Sequence, residues 1–297
     1  MTIATAFGPS RCRSLGFPCY HPAVIVTAEQ DIQGATVAAG HVVEVHKRLV
    51  EMLGPGLTLA QIDQFVGETL RDLDCTSAFL DYAVRGHPPF PSHACLSVNE
   101  CVVHGTHDMT DQPLQPGDII SIDIGVVHKG WIGDAAWTYA ISEASDEALA
   151  LMRAGSESLR LGIESIQAGR PMVDWARAVQ EYAEKSQGFG LIRGLGGHGY
   201  GKTLHTPPYI SNVVPSFPGE WPDAFKSFKE GMLLAVEPML ALSTTEIHSE
   251  GRDWPIFTAD DCLSVHYEAD VRVTNSGPEN LTAELFSLPE IVGNPSA

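Results

Sequence analysis

Two aspartates, Asp123 and Asp134, flank the short segment His128 to Gly130 in ISIDIGVVHKGWIGDAAWTY. The apolar residues around both aspartates predict two buried strands joined by a tight turn. Because residues equidistant from a hairpin turn become cross-strand neighbours, we expect the carboxylates roughly opposite each other on one face. Two buried carboxylates repel unless a cation neutralises them, so the pair favours a divalent metal site. A turn cap and a solvent-facing carboxylate form the simpler alternative.

Two histidines lie in the glycine-rich segment GLGGHGYGKTLHTPP, at His198 and His205. Glycines on both sides of His198 would let the backbone approach a ligand closely and leave the imidazole unobstructed. The pattern therefore makes His198 a candidate metal ligand. A structural histidine in a glycine-rich turn is the alternative.

Two glutamates complete the set of candidate ligands. Glu237 follows the apolar run MLLAV and precedes Pro238, an unusual position for a charge that only needs solvent. Glu268 lies in CLSVHYEADVRVT, a predicted strand. Alternation along that strand places four polar residues on one face: Ser264, His266, Glu268 and Asp270. A solvated polar face is the alternative there.

Together these positions supply four carboxylates and one imidazole: Asp123, Asp134, His198, Glu237 and Glu268. A mostly oxygen-donor set with this much negative charge suits two divalent ions around a bridging hydroxide. It contains no thiolate and is compatible with manganese, iron(II), cobalt or zinc. Two such ions polarise a carbonyl, generate hydroxide near neutral pH and stabilise a tetrahedral oxyanion. The pattern therefore predicts a hydrolase.

The composition excludes several other classes of protein. Eighteen Lys and Arg residues against 37 Asp and Glu give a net charge of −19, which argues against nucleic-acid and membrane partners. No apolar stretch is long enough to span a bilayer, and the first segment lacks the continuous apolar run of a signal peptide. We therefore expect a cytoplasmic protein. The six cysteines form no C-x-x-C pair, which argues against a disulfide framework or a zinc knuckle.

Hydrophobic periodicity indicates which elements position these residues. Amphipathic segments predict helices at 27–52, 59–73, 143–166 and 172–187. Apolar segments predict strands at 94–98, 118–127 and 131–141, and others around GMLLAVEPML and CLSVHYEADVRVT. Residues 83–92 read as a loop, and 207–229 as an insertion rich in proline and aromatic residues.

The order of these elements is a coarse internal repeat, because two helices followed by strands occur twice. It predicts an α+β protein in which helices cover one face of a curved, largely antiparallel sheet. A chain of 297 residues, 44% of them hydrophobic, can bury a large core as one domain or two packed halves. We expect the site between those halves.

Five segments resemble, in order and spacing, the motifs of methionine aminopeptidases. They are LSVNECVVHG (96–105), PGDIISIDIGVVHKGWIGDAAWTY (116–139), GGHGYGKTLH (196–205), GMLLAVEPM (231–239) and SVHYEADVRVT (264–274). The opening helices, from about Val24 to Gly56, are also similar. The resemblance is specific because five separate motifs recur in order.

This resemblance implies the pita-bread fold, a pseudo-twofold α+β domain whose halves enclose a dinuclear metal site. It implies that the five candidate ligands bind the two ions and that Asp134 and Glu268 bridge them. It also implies a leader at residues 1–23, a catalytic domain at 24–280 and a C-terminal tail at 281–297. The expected substrates are the N-termini of peptides or nascent proteins, from which methionine is released by a monomeric enzyme.

The resemblance also assigns catalytic roles. His104 would hydrogen-bond at the scissile amide or the new amine, and His205 would stabilise the carbonyl oxygen as it becomes tetrahedral. Glu237 would carry a proton from water to the leaving nitrogen. Cys95 matches a cysteine beside the pocket for the first side chain of the substrate, although a buried small hydrophobe is the alternative.

Several segments depart from the family pattern. Thr206-Pro207-Pro208 follows His205, and Ala269-Asp270 follows Glu268, where the family usually has His-Glu-x-Pro and Glu-His-Thr. GHPPFPSHAC replaces the usual Gly-Tyr-Pro loop, and SFPGEWPDAFKSF is inserted before Glu237. Because groups around a site orient its ligands, these departures concern substrate preference more than hydrolysis itself.

Three other functions remain compatible with the residues. The first is an X-Pro aminopeptidase or dipeptidase, although such enzymes normally carry a further N-terminal domain and only 23 residues precede the first matched helix here. The second is a non-catalytic binding protein on the same scaffold, which the complete ligand set argues against. The third is a different reaction, such as oxidation of an amino-acid-like compound, at the same metals.

Overall fold

The computed structural model describes residues 23–293, so almost all of the predicted leader lies outside the described residues. Its α-helices are α1 (Glu29–Met52), α2 (Leu59–Asp72), α3 (Asp146–Ser165) and α4 (Val173–Gln180). A π-helical turn, Glu181–Ser186, continues α4. The four predicted helices are therefore confirmed to within a few residues at each end. Thr58 fixes the start of α2, since its hydroxyl accepts the backbone N–H of Gln61 in a capping box.

The strands follow the predicted positions closely in the first half of the chain and less closely in the second. In chain order they are β1 (Thr76–Ser77), β2 (Cys95–Val98), β3 (Cys101–Val103), β4 (Ile119–His128), β5 (Trp131–Ile141), β6 (Gly190–Leu191), β7 (Gly196–Gly199), β8 (Thr206–Ser211), β9 (Leu233–Val236), β10 (Met239–Ala241), β11 (Ile247–Ser249), β12 (Ile256–Thr258), β13 (Ser264–His266), β14 (Ala269–Thr274), β15 (Gly277–Asn280) and β16 (Ile291–Val292). The start of the predicted insertion at 207–229 forms part of β8.

The strands form two five-stranded and two three-stranded sheets within residues 23–293. One large sheet has the order β1-β4-β5-β16, with β2 also paired to β4, and the other has the order β15-β14-β9-β7-β8. The small sheets are β13-β10-β6 and β11-β12-β3. Pairing is antiparallel except between β16 and β5. The predicted α+β class with a largely antiparallel sheet is confirmed.

The β4–β5 hairpin turns through only two residues, Lys129 and Gly130, both with positive φ (48° and 82°). This is the backbone of a type I′ turn, which matches the twist of the flanking strands. The register pairs Asp123 with Ala136 and Asp134 with Gly125. The two aspartates are therefore diagonal neighbours on one face rather than directly opposite, because the turn is centred between Lys129 and Gly130, one residue beyond the midpoint of the two aspartates.

The two strands that carry glutamates are both interrupted, although the sequence pattern predicted continuous strands. β9 ends at Val236 and β10 begins at Met239, while β13 ends at His266 and β14 begins at Ala269. β9 pairs with β14 in the large sheet, and β10 pairs with β13 in a small sheet. Glu237 and Glu268 therefore lie side by side where two paired chains pass from one sheet to another.

Helix α1 packs on the face of the β4–β5 hairpin opposite the aspartates. Val42 and Leu49 on α1 are fully buried, and such side chains each stabilise a fold by ~1.5–3 kcal/mol. Close approach requires Gly133, since a Cβ there would lie 2.6 Å from the backbone of Ala38. The helix thus supports the strands that carry Asp123 and Asp134.

The last described residues also pack against the domain. β16 pairs with β5, and Leu285 is fully buried. The boundaries predicted at residues 23 and 281 stay predictions. Within the described residues, no helix combines the length and the apolar character that crossing a membrane requires.

Candidate metal centre

The hairpin places two buried carboxylates at the junction of the sheets. Asp123 and Asp134 each have an Oδ1 atom that is shielded from solvent and makes no hydrogen bond within the described residues. Burial raises the pKa of Asp123 to about 7, and the charge of Glu237 adds to this effect while His266 opposes it. Burial also raises the pKa of Asp134 well above its ordinary value, with a further contribution from Asp123. Each buried carboxylate therefore has one oxygen without the partner that a buried charge requires.

Asp270 joins the two large sheets behind these carboxylates. Its Oδ2 accepts the backbone N–H of Asp134 at 2.9 Å, and the Asp270 side chain is completely buried. Burial raises the pKa of Asp270, although the hydrogen bond from Asp134 opposes this shift. Asp270 thus positions a candidate ligand without belonging to the predicted set. On the other side of the hairpin, Cys95 pairs in register with Asp123.

His198 enters the site from a bulge in β7. The register between β7 and β8 shifts between His198 and Gly199, and a bulge of this kind re-aims a side chain. The His198 Nε2 atom lies 3.7 Å from Asp134 Oδ2 and 3.9 Å from Glu237 Oε1. Its Nδ1 lies 3.1 Å from the carbonyl oxygen of Gly199, which orients the ring with Nε2 toward the carboxylates.

The glycines beside His198 have a different role from the predicted one. A Cβ at Gly197 would lie 2.3 Å from the carbonyl oxygen of Ala235, and a Cβ at Gly199 would lie 2.3 Å from that of Pro207. They are required for the close approach of β7 to its two neighbouring strands. The packing of the strands alone therefore explains why glycine occupies both positions.

Two groups of potential ligand atoms, each within 4.8 Å of one another, meet at Glu268. The first group contains Asp134, His198 and Glu268, and the second contains Glu237, His266 and Glu268. Glu268 is therefore common to both groups, and its bridging of two ions stays a prediction. Asp134 belongs only to the first group and Asp123 to neither, so their division between two ions stays a prediction.

His266 is a candidate site residue that the sequence reasoning missed. Its Nε2 lies 3.3 Å from Glu237 Oε2 and 3.9 Å from Glu268 Oε2, and its side chain is 4% exposed. The backbone N–H of His266 lies within hydrogen-bonding distance of the Ser121 and Thr138 hydroxyls, which fixes the strand. The signal was present in the alternation that placed His266 on the same face as Glu268. That face is buried, so the solvated polar face considered as an alternative is wrong.

The electrostatics of the centre favour the binding of a cation. Burial raises the pKa of Glu268 well above its usual range, and the charges of Asp134 and Glu237 raise it further. The imidazole of His198 is held below its ordinary pKa, chiefly by burial. A neutral imidazole and several crowded carboxylates are what divalent ions require as ligands. The donor set and its unpartnered buried oxygens therefore fit a metal centre.

Two further predicted residues lie beside the carboxylates. The ring centroid of His205 is 4.4 Å from that of His198, and the Tyr82 hydroxyl lies 2.6 Å from His205 Nδ1. Burial, followed by the charges of His198 and His104, holds the pKa of His205 well below its usual value. Burial also raises the pKa of Tyr82 to about 12. At neutral pH, His205 is thus an uncharged imidazole next to a protonated phenol.

His104 has a strained backbone at φ 58°, in the left-handed region that non-glycine residues rarely occupy. Its Nδ1 is buried and makes no hydrogen bond within the described residues. Burial lowers the pKa of His104 to about 4. Strain of this kind is maintained only where the surrounding structure fixes the residue, which is common at functional sites.

The divergent segment GHPPFPSHAC packs against Trp254, which in turn contacts His104. Trp254 meets both His104 and Phe90 edge-on, with ring centroids 6.0 Å and 5.2 Å away. Its indole N–H donates to the carbonyl oxygen of Pro88 at 3.0 Å. The segment that departs from the family pattern therefore lies beside the predicted catalytic histidine.

All five predicted ligands and both predicted catalytic histidines converge on one region, as do Cys95 and the unpredicted His266 and Asp270. A model of metallopeptidase family M24 matches residues 33–275 of this chain. A methionine aminopeptidase from Clostridium acetobutylicum is 35% identical over 259 residues, which cover 87% of this chain and 98% of that protein. Methionine aminopeptidase 1 from Mycobacterium tuberculosis is 37% identical over 254 residues, covering 84% and 91% of the two chains.

A solved structure gives the same result for the fold. Methionine aminopeptidase from Rickettsia prowazekii superimposes with a TM-score of 0.80 at 28% identity, covering 88% of this chain and 100% of that one. These findings confirm the resemblance carried by the five motifs and the pita-bread fold that it implies. The chain belongs to metallopeptidase family M24.

Proposed function

We propose that this protein is a dinuclear aminopeptidase that hydrolyses the first peptide bond of peptides and proteins beginning with methionine. The observation that carries the proposal is the pair of ligand groups that share Glu268. Membership of family M24 implies divalent metal ions. The names of the relatives from Clostridium acetobutylicum and Mycobacterium tuberculosis support methionine as the released residue.

The residues that would hold the ions are Asp123, Asp134, His198, Glu237 and Glu268. When bound, two divalent ions polarise a carbonyl oxygen and lower the pKa of water. Carboxylate oxygens and an imidazole suit manganese, iron(II), cobalt or zinc. His266 would position Glu237, because its Nε2 lies 3.3 Å from Glu237 Oε2.

Glu237 is the residue that we expect to move the proton. Its carboxylate lies near both His198 and His266, and its side chain is 12% exposed. A carboxylate that takes the proton of the attacking water can return it to the leaving nitrogen. The break between β9 and β10 turns this side chain into the site. Asn212 fixes the break, since its amide donates to the carbonyl oxygen of Glu237 at 2.9 Å.

His205 would stabilise the carbonyl oxygen of the scissile bond. We assign the Tyr82 hydroxyl as the donor to His205 Nδ1, 2.6 Å away, which places the proton of the neutral imidazole on Nε2. An Nε2–H donor is the group that a developing oxyanion needs. His104, whose pKa is also lowered by burial, would bond the amide or the new amine as a neutral imidazole.

The test is release of the first residue from two peptides, Met-Ala-Ser and an X-Pro peptide, by metal-loaded and metal-stripped protein. We expect methionine release from Met-Ala-Ser only when a divalent metal is present. Preferential cleavage of the X-Pro peptide would assign the chain to the other specificity. No release from either peptide with any of the four metals would contradict the proposal. A cytoplasmic location and a monomeric state stay predictions.

A further inference from the structure

A further group of side chains that could hold a metal ion lies outside the candidate metal centre. It consists of His41 on α1, Cys75 between α2 and β1, and His128 at the end of β4, and we name it the Cys75 cluster. One ligand atom from each of these residues lies within 4.8 Å of the others. The cluster uses none of the residues assigned to peptide hydrolysis.

A strand pairing, a backbone hydrogen bond and a ring contact bring these three residues together. β1 pairs with β4 so that Thr76 opposes Val127, which places Cys75 next to His128. The backbone N–H of Cys75 donates to the carbonyl oxygen of Leu70 at 2.8 Å, which anchors Cys75 to the end of α2. The rings of His41 and His128 have centroids 4.5 Å apart.

The cluster and the candidate metal centre lie on opposite faces of one strand. Successive side chains of a strand alternate between faces, so His128 points away from the face of Asp123. Five residues of strand separate the two positions by about 16 Å at ~3.3 Å per residue. His128 lies on the face against which α1 packs, where His41 reaches it. An ion in the cluster would therefore be distinct from the ions of the candidate centre.

We propose that His41, Cys75 and His128 bind one zinc ion, with the fourth coordination position open to solvent. The Cys75 Sγ atom lies 3.4 Å from His128 Nδ1. Zinc bonds of ~2.3 Å to sulfur and ~2.0–2.1 Å to nitrogen at a tetrahedral angle require about 3.6 Å between these atoms. The cluster thus has nearly the spacing of a zinc site before any ion binds.

The chemistry of the donors also favours zinc over the ions suited to the carboxylate centre. One thiol and two imidazoles form a softer set than four carboxylates and one imidazole. Burial and the charge of Asp74 raise the pKa of Cys75 to about 11, so zinc must displace the thiol proton. Burial lowers the pKa of His41, which keeps that imidazole available as a ligand.

Nearby charges act in both directions. Glu44 raises the pKa of His41, whereas His128 and Lys129 lower it. The same charges would act on a zinc ion, since Glu44 and Asp74 would attract it and Lys129 would repel it. In the ion-free protein, the Cys75 thiol lies 3.3 Å from the carbonyl oxygen of Leu73 and can donate to it. A thiol held only by such contacts is the alternative that the experiment must separate from a zinc site.

The experiment uses the full chain titrated with cobalt(II), a spectroscopic substitute for zinc. Thiolate binding gives a sulfur-to-cobalt charge-transfer absorption in the near ultraviolet, which carboxylate and imidazole ligands do not produce. We expect this absorption in the wild type and its loss on zinc addition. It should disappear in Cys75→Ser and weaken at equal cobalt in His41→Ala. Cys95→Ser is the matched control, because Cys95 lies beside Asp123 instead, and it should keep the absorption.

Two results would overturn the proposal. One is the absence of thiolate absorption at saturating cobalt, and the other is absorption that survives in Cys75→Ser but is lost in Cys95→Ser. Cys75→Ser should also bind one zinc ion fewer than the wild type by metal analysis, with unchanged peptide hydrolysis at saturating metal. His41→Ala protects the test against misfolding of Cys75→Ser, because it leaves the buried thiol in place. If neither the wild type nor any variant hydrolysed peptides, the proposed function would be contradicted, but the zinc proposal would not be affected.

Discussion

The two halves of the candidate metal centre deliver their side chains in different ways. In the first half, Asp123 and Asp134 lie within long, uninterrupted strands, and the pairing of β4 with β5 is complete from Ile119 to His128. In the second half, every donor lies at an irregularity. His198 is at a bulge, and Glu237 and Glu268 are at matched strand breaks.

This difference shows two ways of fixing a carboxylate. A complete hairpin defines the distance between its side chains through register, so any change in the turn shifts the two aspartates relative to each other. A bulge or break instead directs a single side chain away from its strand. The second half can therefore converge on the hairpin from several directions. It also needs supporting contacts, such as that of Asn212 with the carbonyl oxygen of Glu237.

The largest effect should come from Glu268→Gln, because Glu268 belongs to both ligand groups. We expect loss of both ions and a fall in kcat/KM beyond the roughly 10³-fold that loss of one oxyanion donor costs. Asp123→Asn should also abolish turnover but keep one ion, since Asp123 lies in neither group. Metal content by mass spectrometry and methionine release measure the two effects.

Circular dichroism of both variants provides the control for folding. If Asp123→Asn lost both ions while Glu268→Gln kept both, the assignment of Glu268 as the shared donor would be wrong. The hairpin would then hold the ions, and the interrupted strands would serve another purpose.

The next largest effect concerns His205, which lies beside the ligands. His205→Ala should lower kcat by about 10²–10³-fold, the usual result of removing an oxyanion donor, and leave metal content intact. Tyr82→Phe removes the hydroxyl that fixes the imidazole tautomer and should lower kcat by a smaller factor. Steady-state kinetics at saturating metal separate kcat from KM.

Metal analysis distinguishes this role from that of a ligand. Loss of an ion in His205→Ala would make His205 a donor and contradict the assignment. An unchanged kcat in Tyr82→Phe would show that the tautomer of His205 is set by another contact.

A smaller effect is expected where the two halves are joined. Asp270→Ala removes the acceptor for the Asp134 N–H and should weaken metal binding by about 10–100-fold, as is typical for groups that orient a ligand. Asp270→Asn keeps an oxygen acceptor of the same shape, so it should weaken binding less. Isothermal titration of the metal-free variants measures both affinities, and equal losses in the two would indicate that charge rather than the hydrogen bond matters.

The comparison also explains how much the sequence could predict. Alternation and turn residues are local signals, so the helices, the β4–β5 hairpin and the shared face of Asp123 and Asp134 followed from the pattern. Residue patterns also made His198, Glu237 and Glu268 candidate ligands, each with a structural alternative, and the family motifs then favoured the ligand interpretation. The predicted register placed Asp123 roughly opposite Asp134 instead of Ala136, because periodicity does not reveal the two positive φ angles of a type I′ turn at Lys129 and Gly130.

The second half depended on non-local contacts that the sequence does not encode directly. The breaks at Glu237 and Glu268 arise because both chain segments pass from one sheet to another. On one side of the break β9 pairs with β14 in a large sheet, and on the other β10 pairs with β13 in a small sheet. Likewise, His266 and Asp270 are 3% and 0% exposed, yet alternation alone allowed that face to be solvated. Only the packing of β13 and β14 against the first sheet makes these residues part of the site.

The smallest predicted effect is on stability as a function of pH, and it contrasts the metal-free with the metal-loaded protein. Buried histidines such as His104 and His205 are neutral in the folded state but still take up protons in the unfolded state near pH 6.5, so the effect of a buried carboxylate is read by comparing the wild type with Asp123→Asn. The pKa of Asp123 is raised from 3.8 to about 7 in the folded state. The proton that Asp123 holds there stabilises the fold at low pH, and this contribution is lost as the pH rises through about 7.

The free energy of unfolding of the metal-free wild type should therefore decrease relative to that of Asp123→Asn as the pH rises toward about 7, measured by urea denaturation in the presence of a chelator. Asp134 and Glu268, whose pKa values are also raised, extend the fall to higher pH. Asp123→Asn should show a shallower fall, since one titrating group is gone. Bound divalent ions neutralise the carboxylates and should remove most of the slope. A metal-free wild type that gained stability relative to Asp123→Asn across this range would contradict the view that the paired carboxylates repel one another without their ions.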